Sequence, residues 1–159
     1  MQGMLPHHAQ ALDMTALVAD RTTHRGLRLI AERIEVSQRD EIAWMTQWLQ
    51  SHGADVPATD GHASHAGHHA LMPGMLTADE LARLAAATGP AFDRLFVQFM
   101  IRHHPGALLL VADLLATPGA AQEPGVYRFA SDVEADQEME IERMTALLDV
   151  PPLPSPRPH

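Results

Sequence analysis

Cysteine is absent from this 159-residue chain, which excludes disulfides, thiolate zinc sites and thiol catalysis. Aromatic residues are scarce, with four Phe, two Trp and one Tyr. Basic residues are few as well: 11 Lys and Arg stand against 20 Asp and Glu, for a formal net charge of −9. An acidic chain without a basic stripe is not expected to bind nucleic acid. No run approaches the roughly 18 apolar residues of a membrane span, so no membrane insertion is expected.

Histidine and methionine are plentiful instead, at 11 and 9 residues. Imidazole and thioether groups can hold soft metal ions without any thiol. A chain rich in these groups and free of cysteine suits an oxidising compartment, where free thiols are a liability. No signal peptide is visible before the first patterned segment, which is typical of a processed or trimmed N-terminus.

Helical periodicity runs through most of the chain, and no segment alternates like a strand. The pattern predicts four long helices, over residues 5–20, 24–51, 90–116 and 122–148, with Thr22 and Thr23 as caps of the second. A capping box from Thr77 to Glu80 predicts a short helix that ends near Gly89. We therefore expect an all-α, ferritin-like four-helix bundle over residues 1–150, with a long crossover at 53–89. Residues 151–159 are rich in proline and are expected to form a flexible tail.

The two helix pairs look like copies of one hairpin, over about residues 4–52 and 90–149. Residues 4–12 align with 100–108 at an offset of 96, and residues 38–49 align with 137–148 at an offset of 99. Both copies keep a His pair, a Gln, a Glu and a Met. Apolar core residues are expected to differ between such copies, because substitutions that conserve side-chain volume change stability little. Retained polar residues on an apolar helix face therefore indicate a function rather than packing.

The retained residues fall on helix stripes that are expected to face inward. Buried carboxylates need a partner, and a metal-binding imidazole needs its second nitrogen fixed by a carboxylate or a carbonyl. One metal centre meets both needs, with the rings as ligands and the carboxylates as ligands or as orienting groups. The predicted residues are His7, His8, His103, His104, Glu41 and Glu140. Thioethers for a soft monovalent ion would come from Met4, Met14, Met45, Met100 and Met144.

A second group of possible ligands lies in the crossover, where histidines precede a Met-x-x-Met spacing. Its members are His62, His65, His68, His69, Met72 and Met75. Such tracts can capture soft cations with low affinity, and a solvated linker explains the same composition equally well. Pro105 follows the second His pair inside a predicted helix, where it removes one amide hydrogen bond and favours a kink.

Several of these motifs resemble the bacterial domain-of-unknown-function family 305. They are MLPHHAQA at 4–11, GMLT at 74–77, FDRLF at 92–96 and MIRHHPGA at 100–107, and the resemblance extends to about residue 149. It implies a ferritin-like bundle, export to the periplasm or the cell exterior and, for characterised members, copper binding and copper tolerance. Asp93 matches an acidic residue of the family, which implies a ligand or a cap. Leu110 stands where the family usually has Met.

The sequence thus predicts an exported protein that is not an enzyme and that sequesters or buffers copper, as Cu(I) or Cu(II), through His and Met. A dinuclear carboxylate oxidase would need Glu-x-x-His on two helices, and no Glu here has His three residues later. The alternatives are a zinc- or iron-binding bundle, or a structural or interaction bundle with incidental metal. The sequence leaves a homo-oligomer open. Affinity is expected to fall below about pH 6.5, because His must be neutral to bind metal.

Overall fold

A computed structural model describes residues 1–58 and 71–149 of the chain. These residues contain helices and no strand, so the predicted all-α fold class is confirmed. In chain order the helices are α1 (Met4–Ala16), α2 (Val18–Arg21), α3 (Arg25–Ser51), α4 (Ala78–Ala86), α5 (Gly89–Ala116) and α6 (Pro124–Asp149).

The first predicted helix is divided in two, because the Leu17 N–H bonds to the Met14 carbonyl oxygen, three residues back, at 3.3 Å. The prediction that Thr22 or Thr23 caps α3 is wrong. His24 is the N-cap, and its Nδ1 accepts the Leu27 N–H at 3.1 Å. Thr22 in turn accepts the His24 N–H at 2.9 Å, so it supports the cap without forming it.

The predicted capping box is present, with Thr77 and Glu80 each bonding the other's backbone at the start of α4. This helix ends at Ala86 instead of near Gly89, because Gly89 already begins α5 with a proline in its first turn. The interior Pro105 does not end α5, which continues to Ala116.

The four long helices form a bundle of two hairpins. α1 packs on α3 and α5 packs on α6, while α3–α6 and α1–α5 contacts join the hairpins. Two apolar clusters fill the two ends of the bundle, one around Met14, Phe96 and Met144 and the other around Leu5 and Met45. In each long helix the predicted polar residues fall between the two clusters, so they lie in a buried middle layer. Leu148, the last residue of the aligned stretch 137–148, is 48% exposed.

By length and composition alone, α5 is the one helix within the described ranges that could cross a membrane, with a mean hydropathy of 1.3. Its apolar sequence is interrupted by Arg102, His103 and His104, so it contains no unbroken apolar run as long as a membrane span. Half of its most apolar window is buried inside the bundle. The core helix of a bundle meets the same criterion, so this property does not by itself indicate a membrane span.

Candidate metal centre

Eight polar side chains are buried in the middle layer, none of them more than 8% exposed. They come from all four long helices, two from each. The six imidazoles and carboxylates predicted from the sequence are all among them, together with the two glutamines retained in both copies. The eight residues are His7, His8, Gln38, Glu41, His103, His104, Gln137 and Glu140.

The second histidine of each pair contacts a glutamate of the other helix in its hairpin. His8 Nε2 lies 2.5 Å from Glu41 Oε2, and His104 Nε2 lies 2.8 Å from Glu140 Oε2. Glutamate thus occupies the position of an orienting group for imidazole, which is one of the two roles that the sequence left open.

These two contacts fix the register of the antiparallel hairpins. Residues equally distant from the contact on both helices lie level, because each helix rises by about 1.5 Å per residue. Met4 and Met45, each four residues from the first His–Glu contact, are therefore level with one another. Met100 and Met144 stand in the same relation to the second contact. All four thioethers are buried, at about 6 Å along the axis from a His–Glu contact.

On the other side of each contact, three residues away, a glutamine lies level with an alanine: Gln38 with Ala11, and Gln137 with Ala107. All four residues are fully buried. Neither glutamine amide has a hydrogen-bond partner among the described residues. The small alanine side chains leave space for the amides, and the middle layer therefore contains polar groups whose bonding capacity is not used.

The first histidines of the two pairs meet across the interface between α1 and α5. The rings of His7 and His103 have their centroids 3.9 Å apart and are inclined by 35°. His7 Nε2 lies 3.1 Å from the Pro73 carbonyl oxygen, which can only accept, so this nitrogen carries the proton and Nδ1 carries the lone pair.

Residues 72–76, which we name the strap, cover this meeting point. Gln10 holds the strap with two hydrogen bonds to the backbone of Leu76, at 3.0 and 2.7 Å. A Cβ on Gly106 would lie 1.8 Å from the Pro73 carbonyl oxygen, so only glycine lets the strap approach α5. Gly74 has φ +80°, and a Cβ there would lie 2.6 Å from the His103 carbonyl oxygen. The strap therefore closes the face between α1 and α5.

Burial controls the protonation of the layer. It lowers the pKa of His7 to about 3, with the charge of His8 adding to the effect, and it lowers the pKa of His8 to about 3 as well. Burial also lowers the pKa of His103 well below its ordinary value. Burial and then the charges of Glu140 and Asp136 raise the pKa of Glu41 to about 8. Because the lowered pKa values keep the rings of His7, His8 and His103 neutral below pH 6.5, we expect proton competition to begin at lower pH than the sequence predicted.

Several buried atoms of the layer lack a hydrogen-bond partner within residues 1–58 and 71–149. Besides the two glutamine amides, they are His7 Nδ1, His8 Nδ1, both ring nitrogens of His103 and Glu41 Oε1. His104 differs, because its Nδ1 also donates to the Met100 carbonyl oxygen at 2.9 Å. In this part of the chain no three His, Asp or Glu side chains already stand in a metal-binding arrangement. A bound ion therefore has to recruit thioethers or small ring movements.

Other predicted ligands are not placed in this layer. Asp93 precedes His103 by ten residues on α5, or about 15 Å along the axis, too far to share an ion. It is not the cap of α5 either, since Thr88 precedes the helix. Met14 follows His8 by six residues on α1, or about 9 Å along the axis, and packs in the apolar cluster with Met100 and Phe96. The four loop histidines, His62, His65, His68 and His69, lie outside the described residues, whereas Met72 and Met75 belong to the strap.

Sequence reasoning missed three residues that shape the centre. Gln10 holds the strap, Ser37 donates to Glu140 Oε1 at 2.8 Å, and Asp136 acts on Glu41 through its charge. The alignment of the two copies already pointed to Ser37 and Asp136. The offset of 99 pairs Ser37 with Asp136, next to the retained glutamines, and so marks a place where the copies differ in charge.

The model of the family described as Domain of unknown function (DUF305) matches residues 1–148. This chain belongs to the DUF305 family. The resemblance found in the sequence motifs is therefore confirmed. No curated protein matches the DUF305 chain.

Solved structures of other proteins have a similar fold. A DUF305 fragment from Deinococcus radiodurans is 34% identical with a TM-score of 0.76, covering 92% of this chain and 91% of that chain. A putative secreted DUF305 protein from Streptomyces coelicolor is 29% identical with a TM-score of 0.75, covering 92% and 88%. CopM in its Cu(II)-bound form is 30% identical with a TM-score of 0.73, covering 92% and 90%. CopM has also been solved in a Cu(I)-bound form.

Proposed function

We propose that this protein is an exported, non-enzymatic metal-binding bundle that sequesters or buffers copper in its middle layer. The observation that carries the proposal is the group of buried ring nitrogens on His7, His8 and His103 that have no hydrogen-bond partner among the described residues. An unpartnered buried polar atom costs ~1–3 kcal/mol. Several of them in one layer are best explained by a ligand that they bind.

The donor set favours copper over harder ions. His7 and His8 each have one nitrogen engaged, by a carbonyl and by a carboxyl group, which leaves Nδ1 for a metal. Buried thioethers lie one helical turn away. Imidazole and thioether together suit Cu(I), while imidazole and carboxylate suit Cu(II). Zinc accepts imidazole and carboxylate but gains little from thioether, and the same holds for iron, so both remain alternatives that the thioethers disfavour.

The comparisons add support from a relative. CopM, similar over 92% of this chain, has been solved with Cu(I) and with Cu(II) bound. Export is supported by the similar protein from Streptomyces coelicolor, described as putatively secreted. The lack of a Glu-x-x-His motif supports a binding role over oxidase catalysis.

Metal titration of protein purified without a His-tag tests the proposal. We expect tight Cu(I) binding in competition with a chromogenic chelator, weakened at least about tenfold by His8→Gln. His52→Gln is the matched control, because His52 is exposed and stacks on Trp48 at the far end of α3. Equal affinities of the two variants would overturn the assignment of the centre.

The thioether contribution has its own test. Met45→Leu keeps the volume of a buried side chain and removes the sulfur. We expect it to weaken Cu(I) binding and to leave Zn(II) binding unchanged. If zinc displaces Cu(I) and Met45→Leu has no effect, the protein is a zinc-binding bundle. If neither metal raises the Tm, a structural or interaction bundle is the better description.

A further inference from the structure

The two outer faces between the hairpins differ in access to the middle layer. On the α1–α5 face the strap lies directly on His7 and on α5, with the Pro73 carbonyl oxygen against Gly106. On the opposite face, between α3 and α6, a cavity of about 440 Å³ opens to solvent. We name this cavity the α3–α6 groove. Its lining includes Glu140, which is 5% exposed and contacts His104.

Residues at aligned positions of the two repeat copies line the groove from both sides. The offset of 99 pairs Ser37 with Asp136 and Asp40 with Met139, and all four residues line the groove. These four residues offer two carboxylates and one thioether. Met139 is 39% exposed and carries the sulfur at the surface of the bundle.

The pairing of Ser37 with Asp136 makes the two sides of the groove unequal. Ser37 donates a hydrogen bond to Glu140, and so gives its second carboxyl oxygen a partner. Asp136 stands in the corresponding place toward Glu41, where it supplies a carboxylate charge instead of a proton donor. Glu41 does not line the groove itself, but it follows the lining residue Ser37 by four residues and so lies on the same face of α3. It keeps a buried oxygen without a partner in the described part of the chain. Negative charge without a donor at this point favours a cation.

We propose that the α3–α6 groove is the entrance of the metal centre, where Asp40, Asp136 and Met139 first capture a copper ion and pass it to Glu41 inside. This proposal rests on the copper-binding function proposed above and adds a route to it. Carboxylates lining a cleft raise the local concentration of cations and their rate of association. Arg33 and Arg143 also line the groove and oppose this effect, against four acidic residues including Glu32 and Glu140.

The rate of metal uptake tests the entrance separately from the amount bound. Cu(II), added as its sulfate to tag-free protein in a stopped-flow instrument, quenches tryptophan fluorescence, and Trp44 lies three residues after Glu41 on α3. Asp136→Asn should slow uptake at least about threefold at low salt. Asp113→Asn is the matched control, because it removes the same charge from an exposed position on α5. Val36→Trp, which fills the groove from an exposed position, should slow uptake without a change in charge.

The final amount of bound copper, measured by metal analysis after desalting, separates the outcomes. Slow uptake by Asp136→Asn and Val36→Trp with unchanged stoichiometry supports the entrance. Uptake by both variants at the rate of Asp113→Asn overturns the entrance and leaves copper binding intact. If the unmodified protein retains no copper, the proposed function fails, and the entrance fails with it.

Discussion

Glu41 and Glu140 occupy aligned positions in the two hairpins, but only Glu140 has hydrogen-bond partners on both carboxyl oxygens. His104 contacts one oxygen and Ser37 the other, each at 2.8 Å. Glu41 contacts His8 through one oxygen, and the other has no partner in the described residues. The network around Glu140 is therefore complete, with Ser37 supplied by the other hairpin, whereas Glu41 retains unused bonding capacity.

Removal of each carboxyl group should reveal this difference. Glu140→Ala breaks two hydrogen bonds and Glu41→Ala breaks one, at a typical net contribution of ~1 kcal/mol each. We expect Glu140→Ala to lower the free energy of unfolding of the metal-free protein by about 1 kcal/mol more than Glu41→Ala does. Urea denaturation at pH 6.5 measures both values. Equal losses would show that the two networks do not differ in stability.

The stability of the metal-free protein should pass through a maximum near neutral pH. The pKa values of His7 and His8 are about 3 in the fold against an ordinary value of 6.5, so between these values the unfolded chain binds more protons. Stability therefore falls as the pH decreases from 6.5 toward 3. The pKa of Glu41 is raised from 4.5 to about 8, so the folded protein holds a proton that the unfolded chain releases. The free energy of unfolding therefore decreases as the pH rises toward 8.

Above pH 6.5, Glu41 is the only one of these three groups that still makes the free energy of unfolding depend on pH. We expect the free energy of unfolding to decrease by ~1–2 kcal/mol between pH 6.5 and 8, at ~1.4 kcal/mol for each unit. Glu41→Gln should abolish this decrease, and Glu142→Gln, at an exposed position of α6, should retain it. Urea denaturation with a chelator present provides the measurement. A decrease that persists in Glu41→Gln would assign it to another group.

Gly106 should tolerate no side chain, because the strap occupies the space of its Cβ at 1.8 Å from the Pro73 carbonyl oxygen. We expect Gly106→Ala to lower the free energy of unfolding by ~1–3 kcal/mol, the usual effect of overpacking, although alanine favours helices. Gly125→Ala on α6 is the control, since its Cβ would meet nothing closer than 3.6 Å. Thermal unfolding compares them. A Gly106→Ala protein as stable as the control would show that the strap does not rest on α5.

Gln10 should control the mobility of the strap. Its side chain makes two hydrogen bonds to the Leu76 backbone, one as donor and one as acceptor. Gln10→Ala removes both, so the Leu76 amide should exchange its hydrogen at least about tenfold faster, from the loss of ~1–2 kcal/mol of local stability. Gln47→Ala, exposed on α3, is the control. Unchanged exchange at Leu76 would show that other contacts hold the strap.

The amino-acid sequence by itself determined the helices, the capping box and the inward direction of the retained His and Glu residues. These features depend on neighbours three or four residues apart, and a 3.6-residue period records them. The threonine cap was missed because His24 can also accept an N–H, and the end of α1 was missed because a single three-residue bond leaves no mark in the pattern.

Only the tertiary structure decided that the strap covers the α1–α5 face and that the two halves of the layer are unequal. Gln10 and Leu76 are 66 residues apart in the chain, and Ser37 and Glu140 are 103 apart. Such contacts depend on how the helices pack, because local propensity and periodicity do not specify which distant groups meet. The same packing lowers the pKa values of the buried imidazoles, since desolvation depends on the surroundings of a ring and not on its neighbours in the chain.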